Sequence, residues 1–95
     1  MAKFIMLGKY SYEAIKGISK ARTKKVISII ESFSGKVDAI YALLGNYDLA
    51  LIVEFEDITK VVGASVAITK LTGIGFNTLP AISVEEFDNI ASKSK

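Results

Sequence analysis

The sequence predicts an α+β fold: a four-stranded antiparallel sheet that carries its helices on one face. Three observations lead there. Residues 37–56 read as two apolar strands around the turn Leu44-Gly45-Asn46-Tyr47-Asp48. A strand and a helical stretch precede this hairpin, and a helix and a strand follow it. The strands are apolar on both faces, although 95 residues make one small domain with little interior of its own.

Each element has its own justification. Residues 3–9 form the first strand, where Phe4, Ile5, Met6 and Leu7 leave neither face polar, as in a central strand covered on both sides. Residues 11–33 are helical in two pieces, with a break over 17–20 where Gly17 and Ser19 weaken the helix. The first piece sets Tyr12, Ile15 and Ile18 on one stripe. The second sets Val26, Ile29, Ile30 and Phe33 at i, i+3, i+4 and i+7, a core-facing pattern. Ser34-Gly35 ends it, with Gly35 available for a left-handed cap. Residues 36–44 and 48–56 are then the central strands, and Gly45-Asn46 suits the positive φ of a two-residue primed turn. Leu49, Leu51, Val53 and Phe55 share one face of the second of these strands; Ala50, Ile52 and Glu54 share the other. Asp57 is the N-cap of a helix that reaches residue 72 and buries Ile58, Val61, Ala64, Ile68 and Leu71. Thr72-Gly73-Ile74-Gly75 stops it. Residues 76–82 form the fourth strand, and Pro80, which has no amide proton to donate, puts it at a sheet edge or puts the proline at a ladder end. Ser83-Val84-Glu85-Glu86 is a capping box between the staple residues Ile82 and Phe87, and it opens a short helix over 84–92. Residues 92–95 are a polar tail.

The order strand, helix, strand, strand, helix, strand is the split β-α-β pattern of the ferredoxin-like fold. Right-handed crossovers slot the third strand beside the first and land both helices on one face. Only the short last helix is left to cover the other face. An apolar face of four strands exceeds the few hundred Å² that a monomer normally exposes. The simplest cover is a second copy of the same sheet, in a two-fold homodimer or a dimer-based oligomer.

Composition narrows the chemistry. There is no cysteine and no histidine, so disulfides, thiolate nucleophiles, haem ligation by imidazole and most zinc sites are out of reach. No cofactor and no metal is expected. The 12 basic and 10 acidic residues leave a net charge of +2, too small to argue for nucleic acid. Hydrophobic residues make up 51% of the chain and mean hydropathy is +0.39. Charges nevertheless interrupt every apolar run well before the roughly 20 residues of a spanning helix. Residues 1–8 hold one lysine and too short an apolar stretch for a secretion signal. The expected setting is cytoplasmic, without membrane contact.

Five places carry candidate chemistry, each with an ordinary structural reading beside it. Tyr47-Asp48 puts a carboxylate and a phenol at a strand start, suited to a ligand amine or to base chemistry, or simply to satisfying turn amides. Tyr41 either lines a pocket or packs as core with its hydroxyl bonded to backbone. Glu54 is a carboxylate on an apolar strand face, suited to acid–base work, or a rim residue paired with a lysine. Gly73-Ile74-Gly75 brings backbone close to an anion, or is a helix stop. Lys16, Lys20, Arg22, Lys24 and Lys25 grip an anion, or form a solvated helix face.

Leu44-Gly45-Asn46-Tyr47-Asp48-Leu49, followed by Thr78-Leu79-Pro80-Ala81-Ile82-Ser83-Val84-Glu85-Glu86-Phe87, resembles the GYD-domain family. Lys3-Phe4-Ile5-Met6-Leu7 and the helix after it fit as well, so the resemblance spans nearly the whole chain. It implies a dimeric α/β barrel and an intracellular protein of about this length, and it implies no reaction. More loosely, Gly45-Asn46-Tyr47-Asp48-Leu49 is similar to the hairpin of the effector-binding domain of leucine-responsive (feast/famine) regulators. Those domains hold small ligands, often amino acids, at subunit interfaces, and residues 73–75 lie where they approach their ligand. No helix-turn-helix precedes the domain, so the resemblance does not extend to DNA binding. The expected function is a non-enzymatic module that binds a small molecule in the barrel or at a subunit interface, through Tyr41, Tyr47, Asp48, Glu54, Gly73 and Gly75. The alternative is a cofactor-independent enzyme of monooxygenase or isomerase type, with Tyr41, Tyr47, Asp48 or Glu54 as its acid–base groups.

Overall fold

The computed structural model describes residues 1–93, so the end of the expected polar tail, Ser94 and Lys95, lies outside the described residues. The elements follow in the order β1 (Ala2–Tyr10), α1 (Tyr12–Lys16), α2 (Lys20–Ser32), β2 (Lys36–Ala42), β3 (Leu49–Phe55), α3 (Ile58–Thr72), β4 (Ile74–Ala81) and α4 (Val84–Lys93). The strands form an antiparallel sheet in the order β2-β3-β1-β4. This is the ferredoxin-like α+β arrangement. The central pair is β1 and β3, not the two hairpin strands: β2 lies at one edge, because the two crossovers insert β3 beside β1 and leave β2 with a single neighbour. Pro80 sits on the other edge strand, as its missing donor requires.

Side-chain caps set the helix starts. Ser11 Oγ accepts from the Ala14 amide at 3.0 Å, Ser19 Oγ from Arg22 at 3.0 Å, Asp57 Oδ1 from Lys60 at 3.1 Å and Ser83 Oγ from Glu86 at 3.1 Å. Two of these caps, Ser11 and Ser19, explain the break over 17–20: each opens its own helix, and Gly17 closes the first.

The core lies between α2, α3 and one sheet face. Ile30, Val61, Ala64 and Ile68 from the helices meet Met6, Leu51, Val53 and Phe55 from the central strands, all fully buried. The Phe4 and Phe55 rings meet edge to face at 6.4 Å.

Several expected side chains are placed differently. Tyr12, Ile15 and Ile18 are exposed, and the residue that α1 buries is Ala14. A five-residue helix lies close to β1 only through a small side chain, and the Tyr12 ring instead carries the Lys16 ammonium at 4.6 Å. In α3 the buried stripe is Val61, Ala64, Ile68 and Thr72, while Ile58 and Leu71 face outward. Thr72 is tolerated inside because its hydroxyl donates to the Ile68 carbonyl at 2.7 Å and accepts from the Ile74 amide at 3.1 Å. The hairpin connection is longer than a two-residue primed turn. Residues 43–48 lie between the strands, the Leu43 amide donates to the Asp48 carbonyl at 2.9 Å, and Gly45 alone takes a positive φ, 140°. At the end of α2 it is Ser34, at φ 62°, that takes the left-handed position expected of Gly35.

Candidate functional site

The sheet face away from the helices is built in rows across the four strands. A bulge at Asp38 decides which residues of β2 reach it. Val37 pairs with Val53, but two residues later Ala39 pairs with Ile52, so Asp38 is the extra residue and the strand changes phase. One row is Ala39, Ile52, Ile5 and Leu79, in register from edge to edge. The next is Tyr41, Ala50, Leu7 and Asn77. On the other side of the apolar row lie Lys36, Glu54, Lys3 and Ala81. Every second residue of each strand faces the core, so these rows share the opposite, open face.

The two ends of this face differ in chemistry. At one end Asp38 sits 3.4 Å from the Lys3 ammonium and 3.8 Å from that of Lys36. A hydrogen bond with the Glu54 carboxyl, and then the two lysines, hold Asp38 below the ordinary carboxylate range against the opposing effect of its partial burial. An open cleft of about 670 Å³ adjoins this cluster, lined by Lys3, Glu54, Ser83 and Glu86 among others.

The other end is the Gly45-Asn46-Tyr47-Asp48 loop. The Asp48 amide donates to the Gly8 carbonyl at 2.8 Å, and Asp48 Oδ2 accepts from the Tyr10 amide at 2.8 Å. The side chain thus continues the β1–β3 ladder beyond its last backbone pair. The Lys9 ammonium donates to the Asn46 carbonyl at 3.1 Å, and Asn77 Nδ2 donates to the Tyr47 hydroxyl at 2.9 Å. Because β1 lies between β3 and β4, the Tyr47–Asn77 bond bridges over the central strand.

The six candidate residues do not form one cluster. Tyr41, Tyr47, Asp48 and Gly75, which pairs with Lys9, lie toward the loop end of the sheet. Tyr41 is 58% exposed. Glu54 is four residues beyond Ala50 along β3, about 13 Å away. Gly73 is apart from the open face: it is the left-handed C-cap of α3, with φ 79°, and an added Cβ would stand 2.7 Å from Ser11 Oγ. Asp38 and Asn77 were not foreseen as site residues. A lone carboxylate inside Val37-Asp38-Ala39 was the signal for the first; nothing in the sequence marked the second. Of the basic cluster, Arg22 is a structural tie, its guanidinium donating to the Ala14 carbonyl and lying 5.4 Å from the Tyr10 ring centre. Among the described residues no group of three or more His, Cys, Asp or Glu side chains is placed to hold a metal ion, and no helix is long and apolar enough to cross a membrane.

Fold and site together define a small ferredoxin-like module with an apolar open face and polar ends. The family model of the GYD domain matches residues 4–91, and the chain belongs to that family. No curated protein matches it. Among solved structures it is similar to the leucine response regulatory protein LrpA of Mycobacterium tuberculosis, with a TM-score of 0.57 and 7% identity over 86% of this chain and 51% of that one. The likeness is one of fold, and this chain spans about half the length of that regulator.

Proposed function

We propose that this protein is a non-enzymatic, self-associating module that binds a small molecule at the open face of its sheet, where a second copy covers it. The observation that carries this reading is the in-register row Ala39, Ile52, Ile5 and Leu79 on the face opposite the one that α2 and α3 cover. Removing such a row from water favours association at about 25 cal/mol per Å². Charged and hydroxyl groups flank the row on both sides, Lys3 and Glu54 at one end and Tyr41 at the other. That pattern, apolar surface with a few polar groups at its margins, suits a small zwitterion with an apolar side chain. The similar solved structure is named for leucine response, which makes leucine and related amino acids the first ligands to test. The enzymatic alternative draws on Tyr41, Tyr47, Asp48 and Glu54, and two of these four are engaged in holding the hairpin loop.

The test has two arms. Light scattering at tens of micromolar is expected to give at least a dimer, and Ile52→Asp is expected to yield a monomer. A monomeric wild-type protein overturns the reading. In the second arm, an amino acid at 100 times its dissociation constant adds about 2.7 kcal/mol to stability, readily seen as a thermal shift. The shift is expected to vanish in Tyr41→Ala or Glu54→Gln. These positions discriminate better than Asp48, whose loss also breaks a strand bond. A hit indifferent to both substitutions would place the ligand elsewhere.

A further inference from the structure

We infer that the loop end of the sheet, where β1 passes into α1, docks on an anionic lipid surface. The inference does not depend on the sheet-face reading, because it uses one end of the sheet rather than its open face.

Four segments meet at this end. The Tyr10 amide and the Lys9 ammonium hold the hairpin loop through Asp48 and Asn46. The C-cap of α3 lies beside the start of α1, since Gly73 abuts Ser11 and Ile74 pairs with Tyr10. Arg22 ties the first turn of α2 to the Ala14 carbonyl. Around this junction apolar side chains stand in solvent. Leu44 at the hairpin tip is fully exposed, and Tyr12, Ile15, Ile18 and Leu71 are each half exposed or more. In α1 the buried residue is Ala14, so Tyr12 and Lys16, two residues to either side of it, point away from the sheet.

Charge selects the occupant. Lys9, Lys16, Lys20 and Lys70 are exposed at this end. Against them stand Glu13 and Asp48, and Asp48 is already bonded to the Tyr10 amide. The acids gather at the far end of the sheet, where Asp38, Glu54, Glu56, Asp57, Glu85 and Glu86 outnumber Lys3, Lys36 and Lys60. The charge is thus divided along the strand direction although the net value is only +2, and an anionic surface orients the molecule with its loop end inward. Lysines interleaved with aliphatic side chains suit a bilayer better than the core of a protein interface, which is depleted in lysine. At the headgroup layer the ammonium groups reach phosphates, each strengthening attraction about fivefold. Leu44, Ile15 and Ile18 sink toward the acyl chains, and Tyr12 sits at the boundary. A nucleic acid would pair with the lysines and leave those aliphatic side chains in water. The expectation of no membrane contact rests on the lack of a spanning run and of a secretion signal, neither of which bears on adsorption to a lipid surface.

The chain has no tryptophan, so an engineered one reports cleanly. Leu44→Trp puts it at the hairpin tip, and Glu56→Trp puts it at the acidic end as a control. The probe is a vesicle of phosphatidylcholine with about 30% phosphatidylglycerol, enough to give a negative surface potential. The Leu44→Trp emission is expected to shift to the blue on these vesicles and the Glu56→Trp emission to stay fixed. Sedimentation is expected to retain the unaltered chain at least tenfold better on them than on pure phosphatidylcholine. Two paired variants, Ile15→Ser/Leu44→Ser and Lys16→Glu/Lys20→Glu, are each expected to cut that retention at least tenfold. All four positions are exposed, and circular dichroism checks that each variant folds. Retention that survives the serine pair would show adsorption by charge alone and overturns the inference. So does a folded chain that ignores the anionic vesicles, and binding to a DNA duplex in its place would assign this end to nucleic acid. The sheet-face reading stands or falls separately, since Ile52→Asp touches none of these residues.

Discussion

At the scale of single residues, the end of α2 shows how two adjacent positions divide two tasks. The Gly35 amide donates to the Ile30 carbonyl and the Ser34 amide to that of Glu31, both at 2.9 Å, so Ser34 occupies the left-handed position of a Schellman cap. Gly35 is needed for a different reason. A Cβ there would run into the ring of Phe55, which is fully buried and has no room to yield. Ser34→Gly is therefore expected to stabilise the fold by about 0.5–1 kcal/mol, since it removes the strain of a left-handed non-glycine residue. Gly35→Ala is expected to destabilise it by about 1–3 kcal/mol through overpacking. Denaturant unfolding of the two variants separates these roles; a destabilised Ser34→Gly or an unchanged Gly35→Ala would refute the division. The sequence showed that a glycine was needed near this helix end, but the Phe55 ring arrives from a strand 20 residues later, a contact no local pattern contains. Asp48 is similar. Its turn-satisfying reading was available from the hairpin, but not its partner, the Tyr10 amide.

At the scale of elements, hydrophobic periodicity located every strand and helix, but in α3 it placed only Val61, Ala64 and Ile68 of its five-residue stripe inside, since Ile58 and Leu71 at the two ends face outward. The faces of β3 and of α2 follow their patterns directly. Periodicity failed where an element is a turn or two long, as in α1, and where one extra residue shifts the phase, as at Asp38. That bulge places Asp38 against Lys3 of β1 and the Glu54 carboxyl of β3, and so ties three strands together at one end of the sheet. Because the folded state holds Asp38 below its ordinary pKa, the contribution of this group to stability is present above the unfolded value of about 3.8. It is lost as pH falls through the lower folded value. Thermal unfolding measured from pH 6 down to pH 2 is expected to show an acid-side loss that Asp38→Asn reduces. An unchanged acid limb in that variant would mean the ion pairs are too solvated to matter.

At the scale of the whole molecule, the apolar content that is excessive for 95 residues has two destinations in the structure, an open sheet face and an unburied terminal arm. The topology and the open face could be read before the structure was known, because element order and two-sided apolar strands specify them. The groove between α3 and β4 could not, because it depends on Ile58 and Val62 facing outward beside β4, and that follows from how α3 is rotated over the sheet. Association through the sheet face makes the melting temperature depend on concentration. A tenfold dilution is expected to lower it for the intact chain and to leave it unchanged in Ile52→Asp.

The two margins of the sheet lead somewhere further. On β4 the backbone is interrupted by Pro80, and on β2 by the bulge at Asp38, flanked by the Lys36 ammonium. An unprotected strand margin templates the addition of further strands, which is the route to fibrils. Here both margins are blunted, which disfavours the end-on addition of strands to a chain rich in exposed aliphatic surface. Restoring an amide donor with Pro80→Val while removing the bulge residue Asp38 is expected to produce thioflavin-positive aggregates on prolonged incubation, which the unaltered chain is expected not to form.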